Sequence, residues 1–143
     1  MPTLNAALAA SASALTAERT RLEASVSNLA NAESTRAADG KPYRRRDVVL
    51  ATDTVGGFDS ALGRASGATG VKVAAIVEDQ APFRRRYEPS HPDADADGFV
   101  ALPNVDAAEE MVDMLSAARA YQANLTAVSL IRDVVARALE LGK

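Results

Sequence analysis

Leucine recurs every seven residues at Leu8, Leu15, Leu22 and Leu29, and this spacing constrains the chain more than any other feature. Seven residues make two turns of α-helix, so the four side chains fall on one stripe, with Leu4, Ala12 and Val26 at the alternate positions of the same seam. The pattern predicts a helix from Leu4 to Ala32, about 29 residues and roughly 43 Å long at 1.5 Å per residue. A rod of that length cannot cover its own apolar stripe and needs a partner. Arg19 interrupts the seam, where a snorkelling stem is the plain expectation and a contact between subunits the sharper one. The opposite face carries Ser11, Ser13, Glu18, Arg21, Glu23 and Ser27; it is small and Ala-rich, which would let other helices approach closely.

The C-terminus supplies the partner. From Val105 to Leu141 a second seam runs with three-four spacing through Met111, Met114, Ala118, Tyr121, Leu125, Val128, Val135 and Leu139, broken only by Arg132. Asn104 or Asp106 is placed to cap this helix, Glu109 and Glu110 suit the positive end of its dipole, and Gly142 with Lys143 suits the other end. The expected fold is mainly α: an N-terminal helix within residues 1–35 and a C-terminal helix within 104–143, paired as an antiparallel coiled coil. Apolar residues make up 48% of the chain but aromatics only 4%, with no Trp, and a core of Ala, Leu and Val suits thin helix-to-helix packing.

Between the helices, residues 36–103 turn rich in Gly, Pro, Asp and Arg. Short β-like stretches at Tyr43 to Ala51, Val71 to Val77 and Phe99 to Leu102 predict a small β-rich lobe, and Gly56, Gly57 and the segment Gly63 to Gly70 predict a loop at its tip near 56–70.

Several functions are disfavoured by the residues themselves. A net charge of −3 does not suit a general nucleic-acid binder; strand alternation would split the triplets Arg44–Arg46 and Arg84–Arg86 between two faces, and no platform of several stacking aromatics accompanies them, so pairing with acidic surfaces of neighbours is the better expectation. No run of about 18 apolar residues predicts a spanning helix, and the N-terminus has neither the basic nor the unbroken apolar region of a cleaved leader. With no cysteine there is no thiolate chemistry, and His91 is the single histidine, placed between prolines as a turn residue. The carboxylates lie in an Asp-rich loop or on helix faces, with no apolar pocket to tune them as acid and base. In HPDADADG, Asp93, Asp95, Asp97 and Gly98 match the first half of a calcium loop; the match fails where a bidentate Glu is needed, because Asn104 stands there after Pro103, and Pro89 and Pro92 prevent an entering helix. A small calcium-binding or helical adaptor module is the alternative this leaves.

SNLANAEST, Ser27 to Thr35, resembles the N-terminal signature of the flagellar rod and hook axial proteins, with Asn, Ala, Asn and Thr at this spacing. The stretch from Tyr87 to Val128, YEPSHPDADADGFVALPNVDAAEEMVDMLSAARAYQANLTAV, resembles the C-terminal portion of a basal-body rod member of that family, and Gly40 to Ala51 and Gly70 to Tyr87 extend the likeness over nearly the whole chain. Glu88, Ser90 and Phe99 stand where Asp, Gly and Tyr are common. The resemblance implies a structural subunit of the proximal rod of the bacterial flagellum, without catalysis or cofactor. Its implied partners are other rod proteins, copies of itself and the flagellar export apparatus, with no nucleic acid and no membrane insertion. Its implied place is the rod crossing the periplasm, reached without a cleaved signal peptide. The residues it marks for assembly are Asn28, Leu29, Ala30, Asn31, Thr35, Pro103, Asn104, Met111, Tyr121, Gln122 and Asn124. Asn31 is expected to end the first helix by capping or in a left-handed conformation, with Ser34 and Thr35 bonding the local backbone.

Overall fold

The computed structural model describes residues 2–37, 40–53 and 69–140. In chain order these form helix α1 (Pro2–Ala30), strands β1 (Arg46–Asp53), β2 (Gly70–Glu78), β3 (Arg84–Tyr87) and β4 (Phe99–Leu102), and helix α2 (Ala107–Glu140). The fold is mainly helical, with two small antiparallel sheets between the terminal helices.

α1 contains no glycine and has its one proline in the first turn, where the missing N–H costs nothing. It stops because Asn31 and Ala32 tighten the last turn: their N–H groups donate to Asn28 and Leu29 carbonyls three residues back, at 3.2 Å each. The Asn31 amide donates to the Ser27 carbonyl at 2.8 Å, and its Oδ1 accepts from Ser34 Oγ at 3.2 Å. Asn31 therefore ends the helix through its side chain and not through a left-handed backbone, since only Gly40 and Gly98 among the described residues have positive φ. At the start of α2, Asp106 Oδ1 accepts the N–H groups of Ala108 at 2.8 Å and Glu109 at 3.3 Å, making Asp106 the cap. Asn104, the other candidate, is employed elsewhere.

The two helices lie side by side and run in opposite directions. Asn28 of α1 bonds Glu110 of α2 near one end, and Leu4 and Leu8 share a cleft with Ile131, Val135 and Leu139 near the other. Only part of each expected seam faces the partner. On α1, Leu8, Leu15, Leu22 and Leu29 are half-buried, but Ala12, Arg19 and Val26 belong to an exposed line with Asn5, Ala9, Thr16, Glu23 and Ala30. Arg19 thus interrupts nothing; it pairs with Glu23 one turn on, at 2.9 Å, on the outer face. On α2 the half-buried line Met114, Tyr121, Val128 and Val135 is as expected, while the second inward line is Glu110, Ala117, Asn124 and Ile131. Met111, Ala118, Leu125, Arg132 and Leu139, one residue further along, are exposed.

The serine face of α1 is covered by the chain's own hairpin. β1 and β2 pair from Arg46 opposite Glu78 to Asp53 opposite Gly70, with a bulge between Val49 and Leu50. The hairpin lies on α1, where Val71 N–H donates to Ser13 Oγ at 3.0 Å. Gly70 permits this approach, because a Cβ there would stand 2.8 Å from the same oxygen. α1 is consequently the central element, flanked by α2 and by the hairpin. The expected loop at Gly56, Gly57 and from Gly63 to Ala68 lies outside the described residues.

β3 and β4 pair from Arg84 opposite Leu102 to Tyr87 opposite Phe99. Alternation buries Val100 and Leu102 beside Val105, while Phe99 and Ala101 face out. Three consecutive arginines hid β3 from any apolar pattern. The buried apolar core among the described residues is correspondingly slight: Ala17, Ala32, Val100, Leu102, Val105 and Ala117.

Candidate assembly site

The largest buried side chain is not apolar: Glu110 is 1% exposed, and Asn28, also 1% exposed, lies against it. Asn28 Nδ2 donates to Glu110 Oε2 at 3.1 Å and to the Arg46 carbonyl at 3.0 Å. Its Oδ1 accepts from Tyr43 Oη at 2.9 Å and from Arg46 N–H at 2.9 Å. One asparagine thereby joins both helices to the base of the β1–β2 hairpin.

Arg45 completes the node. Its guanidinium pairs with Glu110, Asp47 and Asp113, the last at 3.3 Å. Its N–H donates to Asn104 Oδ1 at 3.0 Å, and Asn104 Nδ2 donates to the Asp79 carbonyl at 3.2 Å. Asp79 N–H in turn donates to the Arg45 carbonyl at 2.9 Å. Burial works against the Arg45 charge, and the hydrogen bond and charge of Glu110, aided by Asp47 and Glu109, outweigh it, so the guanidinium holds its proton above its ordinary value. Burying an ion pair is costly unless the surroundings satisfy it. Among the described residues no buried side-chain nitrogen or oxygen lacks a hydrogen-bond partner.

The Asp-rich loop is organised by its own chain. Asp95 accepts the N–H groups of Phe99 at 2.8 Å and Asp97 at 3.0 Å and pairs with Arg85 at 2.7 Å. The Phe99 N–H, joined by Arg85 and the Asp97 N–H, holds the Asp95 carboxyl below the usual carboxylate range against the opposing effect of desolvation. Asp93 accepts from Thr35 Oγ1 at 2.8 Å and pairs with Arg36, while its own N–H donates to His91 Nδ1 at 3.0 Å. Aspartates at alternate positions thus serve an Asx turn around Gly98 and a tie to the end of α1, and among the described residues no three acidic or histidine side chains gather to hold a metal ion.

The arginine triplets are divided among such ties. Arg84 donates to the Pro103 carbonyl at 3.0 Å, Arg86 pairs with Glu33 at 3.0 Å and with Glu88, and Arg44 donates to the Asp79 carbonyl at 2.9 Å while lying over Phe83. Several charges expected to meet neighbours are therefore satisfied within the chain.

Of the residues marked from sequence, Asn28 and Asn104 meet in the node through Arg45. Asn31 ends α1, Thr35 holds the Asp loop, and buried Pro103 supplies a carbonyl to Arg84. Leu29 is half-buried and Ala30 exposed. Tyr121 and Asn124 are half-buried on α2, Asn124 donating to the Ala120 carbonyl at 2.9 Å, whereas Met111 and Gln122 are exposed and away from the node. Arg45, Glu110, Tyr43 and Asp113 were not marked. The available signal was the phase of Glu110, which falls seven residues before Ala117 and fourteen before Asn124 on the less apolar of two adjacent lines.

The second feature of the site is what stays uncovered. α2 exposes Met111, Val112, Leu115, Leu125, Leu130, Val134 and Leu139 at 45–66% of their surface. These run over roughly 42 Å of helix. An apolar expanse of this extent is unusual for a chain that works alone.

The model of the C-terminal region of flagellar basal-body rod FlgEFG proteins matches residues 96–141. Over its length the chain is 46% identical across 131 residues to the flagellar basal-body rod protein FlgC of Salmonella typhimurium, covering 92% of each chain. It is 44% identical across 142 residues to FlgC of Bacillus subtilis, covering 93% of this chain and 94% of the relative. With FlgC of Agrobacterium fabrum the identity is 40% across 144 residues, covering 100% of this chain and 98% of the relative.

Proposed function

This chain belongs to the FlgC family of flagellar basal-body rod proteins, and from that premise we propose how it acts as a structural subunit of the basal-body rod in company with other rod components. The α1–α2 pair is the axial element. It packs as an antiparallel coiled coil within one subunit, and its outer faces stack on copies of itself and on related subunits around a hollow axis. The lobe between the helices, whose β1–β2 hairpin lies along α1, sets which neighbours fit. The subunit reaches the rod through the flagellar export apparatus and serves where the rod crosses the periplasm. Its work is packing, not turnover.

The exposed apolar face of α2 carries this reading. Each of its seven large side chains is about half covered within the subunit, so a neighbour that completes the burial gains about 1 kcal/mol apiece, enough in sum to offset the entropy of docking when several subunits close a ring. The helix ends remote from the node rest on Leu4 and Leu8 against Ile131 and Val135, and they gain their full order on assembly.

Deleting the coding sequence and imaging basal bodies tests the reading. Rods should be absent and swimming lost, both returning when the intact chain is supplied; complete rods in the deletion strain would refute it.

A further inference from the structure

Two stripes of α2 compete to face α1. One is Glu110, Ala117, Asn124 and Ile131; the other, displaced by one residue, is Met111, Ala118, Leu125, Arg132 and Leu139. Either can combine with Met114, Tyr121, Val128 and Val135 to make a seam. Burial of apolar surface favours the second over the first two-thirds of the helix, where it offers Met111 and Leu125 against Glu110 and Asn124; only Arg132 against Ile131 goes the other way. The structure has the first inward: Glu110 and Ala117 are each 1% exposed, and Met111, Leu125 and Leu139 remain 48%, 45% and 64% exposed.

What the apolar stripe lacks is a match for Asn28 and Arg45. Asn28 is fixed by Arg46 and Tyr43, so its remaining amide N–H needs an acceptor at the α2 surface, and Glu110 Oε2 is that acceptor. Arg45 arrives already placed, its N–H held by Asn104 and its carbonyl by Asp79. With Met111 turned inward, Glu110 would leave its cation, and both Arg45 and Asn28 would lose a partner in a site with little access to water.

We propose that the Asn28–Glu110–Arg45 node sets the rotation of α2 about its own axis, with Arg45 as the positioning residue, and so keeps Met111 and Leu125 outward for neighbouring subunits. The two settings differ by roughly 50°, half of the 100° between successive residues. A buried polar group that fixes alignment at some cost in stability is the helix-pair device this resembles. The inference rests on the reading of the outward line as an assembly surface.

The chain has no cysteine, so a single introduced thiol reports its own site. The full chain is prepared as M111C, L125C or A117C, each with the native node and with R45M, which leaves Glu110 a buried carboxylate without its cation, and reaction with a soluble thiol reagent is timed. With Arg45 replaced, Glu110 should turn to water, so that reaction at positions 111 and 125 should slow roughly tenfold and reaction at 117 should quicken roughly tenfold. R45K, which keeps a cation for Glu110 while Asn28 keeps its acceptor, should retain the native pattern. Unchanged rates at all three positions would overturn the proposal, as would faster reaction at all three, because the node would then hold the fold and not the angle. Swimming and basal bodies are scored separately with R45M. A reversed thiol pattern with intact rods would uphold the rotation and refute the assembly role of the outward line, so the two failures are distinct.

Discussion

Replacing Asn28 with Ala removes four hydrogen bonds from a side chain that is 1% exposed. The consequences differ by partner. Tyr43 Oη keeps Ser27 Oγ at 3.4 Å, and the Arg46 backbone groups lie at the rim, where water compensates in part, so these losses amount to about 1 kcal/mol each. Glu110 Oε2 loses its donor while its other oxygen stays on Arg45, and an ionised group left short of a donor costs about 2 kcal/mol more. Asn28→Ala should therefore destabilise the chain by about 5 kcal/mol, lowering the thermal midpoint by roughly 15 °C for a chain of this size. Urea unfolding followed by far-UV circular dichroism measures it through the midpoint at constant slope. Asn28→Asp should cost more at neutral pH, because a second carboxylate oxygen would face Glu110 at about the 3.1 Å now spanned by the Nδ2 contact, and the deficit should shrink on acidification as one of the two takes up a proton. A loss below about 1 kcal/mol for Asn28→Ala, or an aspartate variant indifferent to pH, would refute the view of the node as a satisfied buried network.

Gly98 adopts φ +80°, and a Cβ there would meet Tyr87 Cε2 at 2.9 Å, so Gly98→Ala should destabilise by about 1–2 kcal/mol in the same urea measurement. Asp95 has its folded carboxyl held below the ordinary value by the Phe99 N–H and Arg85, so the unfolded chain binds more protons as acid is added; its contribution is full above the ordinary carboxylate range and fades as pH falls through the depressed folded value. An Asp95→Asn variant should accordingly show a shallower loss of stability below about pH 4 than the native chain, read from thermal midpoints across pH.

Much of this architecture was legible in the residues because helices announce themselves by local period. Leucines seven apart located α1, and Met114, Tyr121, Val128 and Val135 located one edge of the α2 contact. The phase of the other edge was misread for a physical reason: apolarity pointed to Met111 and Leu125, while the inward position went to Glu110, whose burial depends on Arg45 sixty-five residues earlier. No local pattern encodes such a pairing. Ala12 and Val26 were drawn into the α1 seam by their apolar character, although the structure leaves them on the outer face. β3 was invisible because its alternation is carried by Val100 and Leu102 on the opposite strand, not by its own arginines. The Asp-rich segment matched half of a calcium loop and failed the rest at Pro103 and Asn104; what the sequence did not reveal is that Thr35, Arg36 and Arg85 engage two of its carboxylates.

If the outward apolar face of α2 joins this subunit to the rod, charging that face must spare the fold and abolish assembly. Leu115 and Leu130 are 54% and 60% exposed, so Leu115→Asp with Leu130→Asp should leave the folded chain within about 0.5 kcal/mol of native per substitution. Supplied to a strain lacking the native chain, that double variant should accumulate as folded subunit and leave basal bodies without rods; electron micrographs showing complete rods with swimming cells would contradict the account.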